Sequence, residues 1–223
     1  MGTNSVSKLK MYIVPMLLMI VMWMILFLPA GTTKFWEAWI FWFGFSLLTL
    51  FITIYFSKKN PELLARRTKV REEATTKKAP AFFKLYYIGF LIPGIDFRFH
   101  WSHEPIWLVM VSNLIVFAAY IFIFVVFKEN SYASTVIQVE NEQHVITTGP
   151  YSIVRHPMYL GMVIMSFFLP LALGSYFAII PMLFIIPTLL FRIKNEEAVL
   201  LRELSGYKEY CLQTQYRLIP FIW

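Results

Sequence analysis

The chain has 223 residues, of which 58% are hydrophobic and only 15% charged, and its mean hydropathy is +0.61. This composition excludes an ordinary soluble globular protein and indicates an integral membrane protein. The net charge of +7 is interpreted as a sign of membrane topology rather than of a nucleic-acid surface, because Lys and Arg concentrate on the cytoplasmic side of membrane proteins.

Two long apolar runs lie in the first quarter of the chain. Met11–Ala30 and Ala38–Phe56 carry no charge, and each is close to the roughly 20 residues that a membrane-spanning helix needs. The short link at 31–34 predicts that they form a helical hairpin. The first run is too long for the core of a cleavable signal sequence, and no small-residue cleavage site follows it, so we interpret it as a retained span.

A basic segment follows the hairpin. Ser57–Lys84 holds nine of the 20 Lys and Arg residues. We interpret it as a cytoplasmic loop that carries a short surface helix, because Asn60 is typical of a helix cap and Pro61 of the first helical position.

Ala79–Ile95 is a marginal span that Pro93-Gly94 is expected to interrupt. The next segment, Asp96–Glu104, is polar and aromatic and includes His100 and His103. These side chains could suggest a metal site, but their spacing matches no closed zinc signature, and the single cysteine, Cys211, excludes a Cys-x-x-Cys site and an internal disulfide. We therefore predict no metal and favour a polar rim with interfacial tryptophan.

The second half of the chain contains two further apolar stretches. Pro105–Phe127 predicts one uncharged span, and Pro157–Phe191 is free of charge but interrupted at Gly174-Ser175. The second stretch is therefore expected to be a hairpin of two short helices whose ends return to one side of the membrane. The polar tail from Arg192 has a helical pattern until Pro220.

These elements predict an all-α fold, a polytopic transmembrane bundle of about five to six spans that ends in a helical hairpin. We divide the chain into N-terminal membrane helices, 1–137, and a C-terminal functional region, 138–223. With the N-terminus inside, Lys34 and Arg98 lie outside and the other 18 of the 20 Lys and Arg residues lie inside. Both termini and the polar segments around the last hairpin are then cytoplasmic.

Polar residues flank this last hairpin on both sides. The run Gly149–Gly161 precedes it, and a hairpin that returns to its starting side brings Arg155 and His156 close to Glu196 and Glu197. Such a pocket could hold a ligand with an ammonium, bound by Glu196 or Glu197, and a carboxylate, bound by the planar Arg155 guanidinium. The alternative is that Arg155 and a glutamate simply pair with each other at the membrane surface.

Other polar residues of the same region also have two interpretations. His156 could serve the pocket or could cap or bond the backbone before Pro157. Tyr151 and Tyr159 are by default interfacial aromatics. A continuous helical tail would place several downstream side chains on one face at positions 0, 4, 7, 11 and 14. They are Glu196, Leu200, Glu203, Tyr207 and Tyr210.

The same residues resemble a family signature. Val145–Tyr151 followed by Arg155–Gly161 resembles the first half of the signature of the isoprenylcysteine carboxyl methyltransferase family, which would make this an S-adenosylmethionine-dependent membrane methyltransferase. The second half of that signature resembles residues further along this chain. They are Glu196-Glu197, Leu200 or Leu201, Gly206-Tyr207, Tyr210 and the closing Leu218-Ile219-Pro220. The resemblance covers about residues 138–223, and the short chain suggests a prokaryotic member.

The resemblance implies a cytoplasmic S-adenosylmethionine pocket closed by the C-terminal tail, and a lipophilic acceptor that enters from the bilayer. It implies catalytic roles for Arg155 and Glu196. The implied cofactor residues are Gln143, Val145, Thr147, Gly149, Tyr151, Arg155, His156, Pro157, Tyr159, Gly161, Glu196 and Glu197. At Gln143 the chain departs from prenyl-protein members, which commonly have histidine there, while His144 is displaced by one position.

The methyl acceptor stays open at this point: the carboxylate of an isoprenylcysteine-like substrate, a thiol or an amine. The expected partners are the bilayer and this acceptor, with no nucleic acid and no obligate protein partner evident.

A membrane NADPH-dependent sterol-type reductase is the main alternative, because Tyr216–Pro220 also resembles the end of those enzymes. Against it, the chain has few spans, and Glu196-Glu197 supplies no cation for a 2′-phosphate. A scaffold or transporter subunit is less favoured, because the spans lack buried charges.

Overall fold

The structure is a computed structural model that describes residues 3–68, 81–133, 139 and 143–223. All regular elements in these ranges are helical, as predicted. The helices are α1 (Thr3–Ala30), α2 (Trp36–Lys59), α3 (Pro61–Thr68), α4 (Ala81–Gly89), α5 (Ile92–Phe99), α6 (Ile106–Glu129), α7 (Pro157–Ala172), α8 (Ile179–Leu183), α9 (Ile185–Glu203) and α10 (Tyr207–Gln213).

Three helices in the described part of the chain are long and apolar enough to cross a membrane. They are Tyr12–Ala30 of α1, the whole of α2 and the whole of α6, in agreement with the first, second and fourth predicted spans. Their outer faces are apolar and open: Leu47 of α2 and Leu114 of α6 are 70% and 68% exposed. Such faces suit contact with lipid chains, since a helix apolar all round belongs in a bilayer. The total of five to six spans stays a prediction.

The α1–α2 hairpin forms through a glycine turn and an aromatic core. Gly31 has φ +65°, a backbone conformation that favours glycine, and ends α1. Phe27 of α1 packs against Phe35 and Trp39, with ring centroids 6.2 and 4.7 Å away. Burial of these rings holds the two helices together, and Trp42 Nε1 of α2 adds a hydrogen bond to the Met19 carbonyl of α1 at 2.9 Å.

The basic loop after α2 contains the predicted surface helix. Asn60 Oδ1 accepts a hydrogen bond from the backbone N–H of Leu63 at 3.1 Å, and Pro61 is the first residue of α3, so the predicted cap is confirmed. Residues 69–80 of this loop lie outside the described residues. The proposed division of the chain between residues 137 and 138 falls within residues 134–138, which also lie outside the described residues.

The marginal span breaks earlier than predicted. The interruption lies at residues 90–91, between α4 and α5, rather than at Pro93-Gly94. Pro93 instead sits in the first turn of α5, where a missing N–H costs little. Asp96 was predicted to begin the polar and aromatic segment after this span, but it is buried inside α5. Gly94 has a packing role, because a Cβ there would lie 2.6 Å from the Leu26 carbonyl oxygen of α1.

Close packing of α7 against α6 positions the last hairpin. A Cβ added to Gly161 would lie 2.6 Å from Ile123 Cγ1, so glycine permits the approach of the two helices. Near the other end of α7, Asn113 Nδ2 donates to the Ala172 carbonyl at 2.9 Å. These two contacts hold both ends of α7 against α6. They thereby position the start of α7, where the polar run Gly149–Gly161 ends.

The predicted hairpin after Pro157 is present, with a broken second limb. The turn contains Gly174 at φ +67°, and α8 then ends at Leu183 before α9 begins. Pro187 accounts for this break, because a proline ring clashes with the carbonyl four residues earlier, which belongs to Leu183.

The tail was predicted to be one continuous helix, and this was wrong. Helix α9 ends at Glu203, the chain turns at Gly206 with φ +82°, and a separate helix, α10, begins at Tyr207. Glu196, Leu200, Glu203, Tyr207 and Tyr210 therefore do not share one helix face. Glu203 lies at the surface, where it pairs with Arg202 at 2.5 Å.

The helices define two ends of the bundle. At the far end, three turns meet at residues 31–35, 100–105 and 173–178. Asp96, only 1% exposed, ties two of them together by accepting from Ser102 Oγ at 2.7 Å and Ser175 Oγ at 2.5 Å. At the opposite end, here the motif end, the start of α7 meets the end of α9 and the C-terminal tail.

Candidate functional site

The C-terminal tail pairs with the backbone at the start of α7. Pro157 restricts His156 to a non-helical conformation, with φ −123° and ψ 61°. This leaves the N–H groups of Arg155 and His156 free to donate to the carbonyls of Tyr216 and Arg217, both at 2.9 Å. The polar run before α7 and the tail after α10 thus form one unit, although about 60 residues separate them along the chain.

Glu197 is the centre of a buried ion cluster at the motif end. It is 5% exposed and accepts from Arg155 Nε at 2.8 Å, His156 Nε2 at 3.3 Å and Arg217 Nε at 2.8 Å. Burial alone would raise the pKa of Glu197. Hydrogen bonds from His156 and Arg155, and their charges, outweigh burial and lower the pKa to about 2. Glu197 is therefore a carboxylate at neutral pH.

Arg155 is held on several sides. It is 9% exposed, and besides Glu197 its Nη1 donates to the carbonyls of Thr214 and Gln215 at 3.0 and 3.2 Å. The predicted proximity of Arg155 to the glutamate pair is confirmed. Pairing of Arg155 with a glutamate, which we had considered as the alternative, is the observed arrangement for Glu197. It is buried, however, and not a solvated pair at the surface.

Glu196, the neighbouring acid, has a different environment. It is half-buried and accepts a hydrogen bond from Tyr159 Oη at 2.6 Å, while Arg192 Nε donates to the same tyrosine oxygen at 2.8 Å. Tyr159 is only 3% exposed, so its default interpretation as an interfacial aromatic is wrong. A carboxylate has about four acceptor sites, and Tyr159 uses one of them, which leaves Glu196 with capacity for a ligand.

Tyr151 ties the segment before α7 to α6 and α10. Its hydroxyl accepts from Asn130 Nδ2 at 3.0 Å, and its carbonyl accepts from Tyr210 Oη at 2.7 Å. The preceding Thr148 hydroxyl donates to Glu129. Glu129 also lies against Gly149, which has φ +57°, so a side chain at 149 would be both strained and crowded. These contacts give the segment a fixed course beside the start of α7.

A solvent-connected cavity, here the motif cavity, lies between the segment before α7, α9 and α10. Eight of the twelve predicted cofactor residues line it. They are Gln143, Val145, Tyr151, Arg155, His156, Pro157, Tyr159 and Glu196. The other four, Thr147, Gly149, Gly161 and Glu197, lie outside its wall. Glu197 lies behind Arg155 and His156, and Gly161 faces α6.

The wall also contains residues that sequence reasoning did not assign to the site. They are Asn130, Tyr132, Ala133, His144, Ile146, Met158, Arg192, Val199, Leu200, Leu204, Tyr207 and Tyr210. Arg192 could have been found, since it is the first charge after the apolar stretch and lies one helical turn before Glu196. His144 had been noted only as a histidine displaced by one position from the family pattern, and Tyr132, whose Oη lies 3.2 Å from His144 Nδ1, carried no signal.

The predicted polar rim at the far end holds a second, smaller group of titratable side chains. Glu37, His100, His103 and Glu104 line a shallow cavity there. Within the described ranges, no group of three or more His, Cys, Asp or Glu residues is arranged to hold a metal ion.

Comparison with known proteins links part of the chain to a family profile and its fold to a solved structure. The profile of the "Isoprenylcysteine carboxyl methyltransferase (ICMT) family" matches residues 108–202, which include α7, α8 and most of α6 and α9. A solved eukaryotic intramembrane Ras methyltransferase of that name has a similar fold, with a TM-score of 0.54 and 21% identity over 83% of this chain and 68% of that chain. No curated protein sequence matches this chain significantly.

The family match and the similar fold agree with the motif residues described above, and they do not favour a sterol-type reductase. Residues 108–202 thus match the profile of this methyltransferase family, and the long apolar helices are those of an integral membrane protein.

Proposed function

We propose that this protein transfers the methyl group of S-adenosylmethionine to a lipophilic acceptor at the cytoplasmic face of the membrane. The observation that carries the proposal is the placement of Arg155 and Glu196 on one cavity wall at the end of the bundle's apolar hairpin. Polar groups beside a membrane span are costly unless they serve a site.

The residues of the motif cavity suit the amino-acid part of S-adenosylmethionine. Glu196 has acceptor sites left for an ammonium group. The described contacts of Arg155 use Nε and Nη1, which leaves the Nη2 hydrogens for a carboxylate. Opposite charges in one wall are what a zwitterionic ligand requires.

The remaining wall suits a nucleoside. Leu200 and Leu204 supply apolar surface, and Tyr132 and Tyr210 supply aromatic rings with polar ends. Ligand sites of this kind are mostly apolar, with a few polar groups that fix orientation. The cavity thus combines a charged part and an apolar part, as an adenosyl amino acid does.

The protein contributes mainly positioning to the reaction. When bound, S-adenosylmethionine supplies a methyl group that its sulfonium has already activated. Arg155 is locked by Glu197 and two carbonyls, so it can orient a bound group without reorganising. For a thiol or amine acceptor, Glu196 is better placed than His156 to take a proton, because His156 already faces Glu197.

The distribution of charge supports a cytoplasmic site. Lys34 and Arg98 lie near the turns of the far end, whereas Lys58 and Lys59 at the end of α2 and the C-terminal tail belong to the motif end. Under the positive-inside rule, the motif end and both termini are cytoplasmic. Soluble S-adenosylmethionine would reach the cavity from that side, and the acceptor would come from the bilayer.

Thermal unfolding of the detergent-purified protein tests this proposal. A ligand that binds only the folded state at 100 times its Kd stabilises it by about 2.7 kcal/mol, which raises the unfolding temperature. We expect S-adenosylmethionine and S-adenosylhomocysteine to do so and NADPH to have no effect. A response to NADPH alone, or to none of the three, would overturn the proposal.

A further inference from the structure

The start of α1, the end of α2 and the whole of α3 meet at one end of the α1–α2 hairpin. Tyr12 Oη of α1 donates a hydrogen bond to Ser57 Oγ of α2 at 3.1 Å. Helix α3 follows α2 directly and packs against both α1 and α2. The backbone of residues 3–12, 57–59 and 61–68, here called the basic corner, is therefore held together by contacts between three helices.

The basic corner lies at the membrane surface. The span in α1 begins at Tyr12, and the span in α2 ends at Lys59. Helix α3 has eight residues, so it is about 12 Å long and cannot cross a hydrocarbon core of about 30 Å. Asn60 caps α3 and Leu63, only 1% exposed, anchors it, so the helix stays at the depth of the lipid headgroups.

The charge of the basic corner is strongly positive. Residues 1–68 contain seven Lys and Arg residues, and six of these belong to the corner. Glu62 is its one acidic residue, so the net charge is +5. Lys58 and Lys59 are exposed in the last turn of α2. The six cationic residues are Lys8, Lys10, Lys58, Lys59, Arg66 and Arg67.

The opposite end of the same hairpin has no such excess of positive charge. Lys34 lies in the α1–α2 turn, and the Arg98 guanidinium lies against Gly31. Glu37 and Glu104 lie close to the same end, beside Gly174. Cations and carboxylates are thus balanced there, so the excess at the basic corner is not a general property of the hairpin.

The basic corner is also separate from the motif cavity. The residues that line that cavity begin at Asn130, and none of them belongs to α1, α2 or α3. Binding of a ligand in the motif cavity therefore does not account for this group of cations.

Phosphate is the anion that a basic surface at this depth meets. Lysine and arginine both donate charge-assisted hydrogen bonds to phosphate oxygens. A group of roughly four to eight such residues beside a membrane span attracts anionic lipid, and each cation strengthens the attraction about fivefold. A soluble polyanion would have to displace the headgroups from this surface, so the phosphate of a lipid is favoured.

We propose that the basic corner binds the headgroup of an anionic phospholipid in the leaflet that the motif end faces. The bound lipid would anchor the α1–α2 hairpin and α3 to that leaflet. This inference goes beyond the proposed function, because the site needs neither S-adenosylmethionine nor a methyl acceptor.

Native mass spectrometry of the full-length protein in detergent tests the proposal, because it resolves the binding of single lipid molecules. The probes are phosphatidylglycerol, which is anionic, and phosphatidylcholine, which is zwitterionic. The first phosphatidylglycerol should bind at least about fivefold more tightly than the first phosphatidylcholine. This preference should weaken when ammonium acetate is raised from about 0.1 to about 1 M, since the screening length falls from about 10 to about 3 Å.

Three variants locate the lipid. The double variant Lys58→Gln/Lys59→Gln should lose about five- to 25-fold in affinity for phosphatidylglycerol and keep its affinity for phosphatidylcholine. Lys58→Arg/Lys59→Arg keeps both charges and should bind as the wild type does. Lys34→Gln removes an exposed charge at the far end and should also bind as the wild type does. Thermal unfolding checks that each variant is folded.

Several outcomes would overturn the inference. They are equal affinity of the wild type for the two lipids, unchanged affinity in Lys58→Gln/Lys59→Gln, and an equal loss in Lys34→Gln or in the arginine variant. Inorganic phosphate that displaces the lipid more than acetate does at the same ionic strength would assign the cations to a soluble anion instead. Titration with S-adenosylhomocysteine tests the proposed function separately, and its affinity should be the same in all of these variants.

Discussion

The two ends of the bundle surround their glutamates in opposite ways. At the motif end, Glu197 receives hydrogen bonds from Arg155, His156 and Arg217. At the far end, Glu37 Oε2 and both oxygens of Glu104 are buried with no partner among the described residues. Glu197 lies in the second half of α9, whereas Glu37 lies in the first turn of α2 and Glu104 in the loop before α6.

The comparison shows what the cations at the motif end achieve. Pairing holds Glu197 ionised and so fixes Arg155 on the cavity wall in one orientation. At the far end, burial and the negative charges of Asp96 and Glu37 raise the pKa of Glu104 to about 8. The first arrangement yields a rigid, charged wall suited to a ligand, and the second favours a protonated, neutral carboxyl.

Glu197→Gln should give the largest effect on stability. The amide removes the charge that Arg155 and Arg217 face, and breaking one partner of a buried ion pair costs about 3–5 kcal/mol. Unfolding in detergent, followed by circular dichroism, measures the change. Its matched control is Glu196→Gln, where the neighbouring acid is only half-buried and a loss of about 1 kcal/mol is expected. Equal losses in the two variants would contradict the assignment of distinct roles.

The same variant has a defined dependence on pH. The pKa of Glu197 falls from 4.5 to about 2 on folding, so its stabilisation is complete above pH 4.5 and is lost as pH falls through 2. The stability difference between wild type and Glu197→Gln should therefore shrink by about 2–3 kcal/mol over that range. A difference that stays constant between pH 5 and pH 2 would show that Glu197 is not the paired acid.

Glu196→Gln should affect binding more than stability. Glutamine keeps an oxygen for the Tyr159 hydroxyl but loses the negative charge proposed to face the ammonium group. Hydrogen bonds to charged groups contribute about 1.5–3 kcal/mol, which corresponds to roughly 10- to 100-fold in Kd for S-adenosylhomocysteine. Calorimetric titration checks this value. Unchanged affinity would remove Glu196 from the proposed site and leave the ammonium group without an assigned partner.

The sequence predicted the membrane helices and the meeting of the two polar runs, because both depend on strong local patterns. Uncharged runs of about 20 residues define α1, α2 and α6, and a short apolar hairpin must return to its starting side. It did not predict the break before Pro187 or the turn at Gly206, since these depend on how single residues act within a helical pattern.

Within the site, the sequence could not distinguish Glu196 from Glu197. The two acids are adjacent and chemically equivalent, so only the rotation of α9 decides which one faces the cavity and which one pairs with Arg155. Tyr207 and Tyr210 were likewise indistinguishable by type. Their difference comes from one contact with the Tyr151 carbonyl, which no local pattern encodes.

Glu104→Gln should give the smallest effect, opposite in sign to that of Glu197→Gln. The pKa of Glu104 rises from 4.5 to about 8 on folding, so the folded state binds more protons between these values and wild-type stability falls as pH rises across them. Glutamine stays neutral, so the variant should match the wild type below pH 4.5 and exceed it above pH 8. The gain is about 1 kcal/mol, because solvent in the cavity between His100, His103 and Glu37 screens part of the repulsion. Unfolding at pH 4.5 and pH 8.5 measures it, and a variant less stable than the wild type at pH 8.5 would mean that Glu104 is ionised and paired, as Glu197 is.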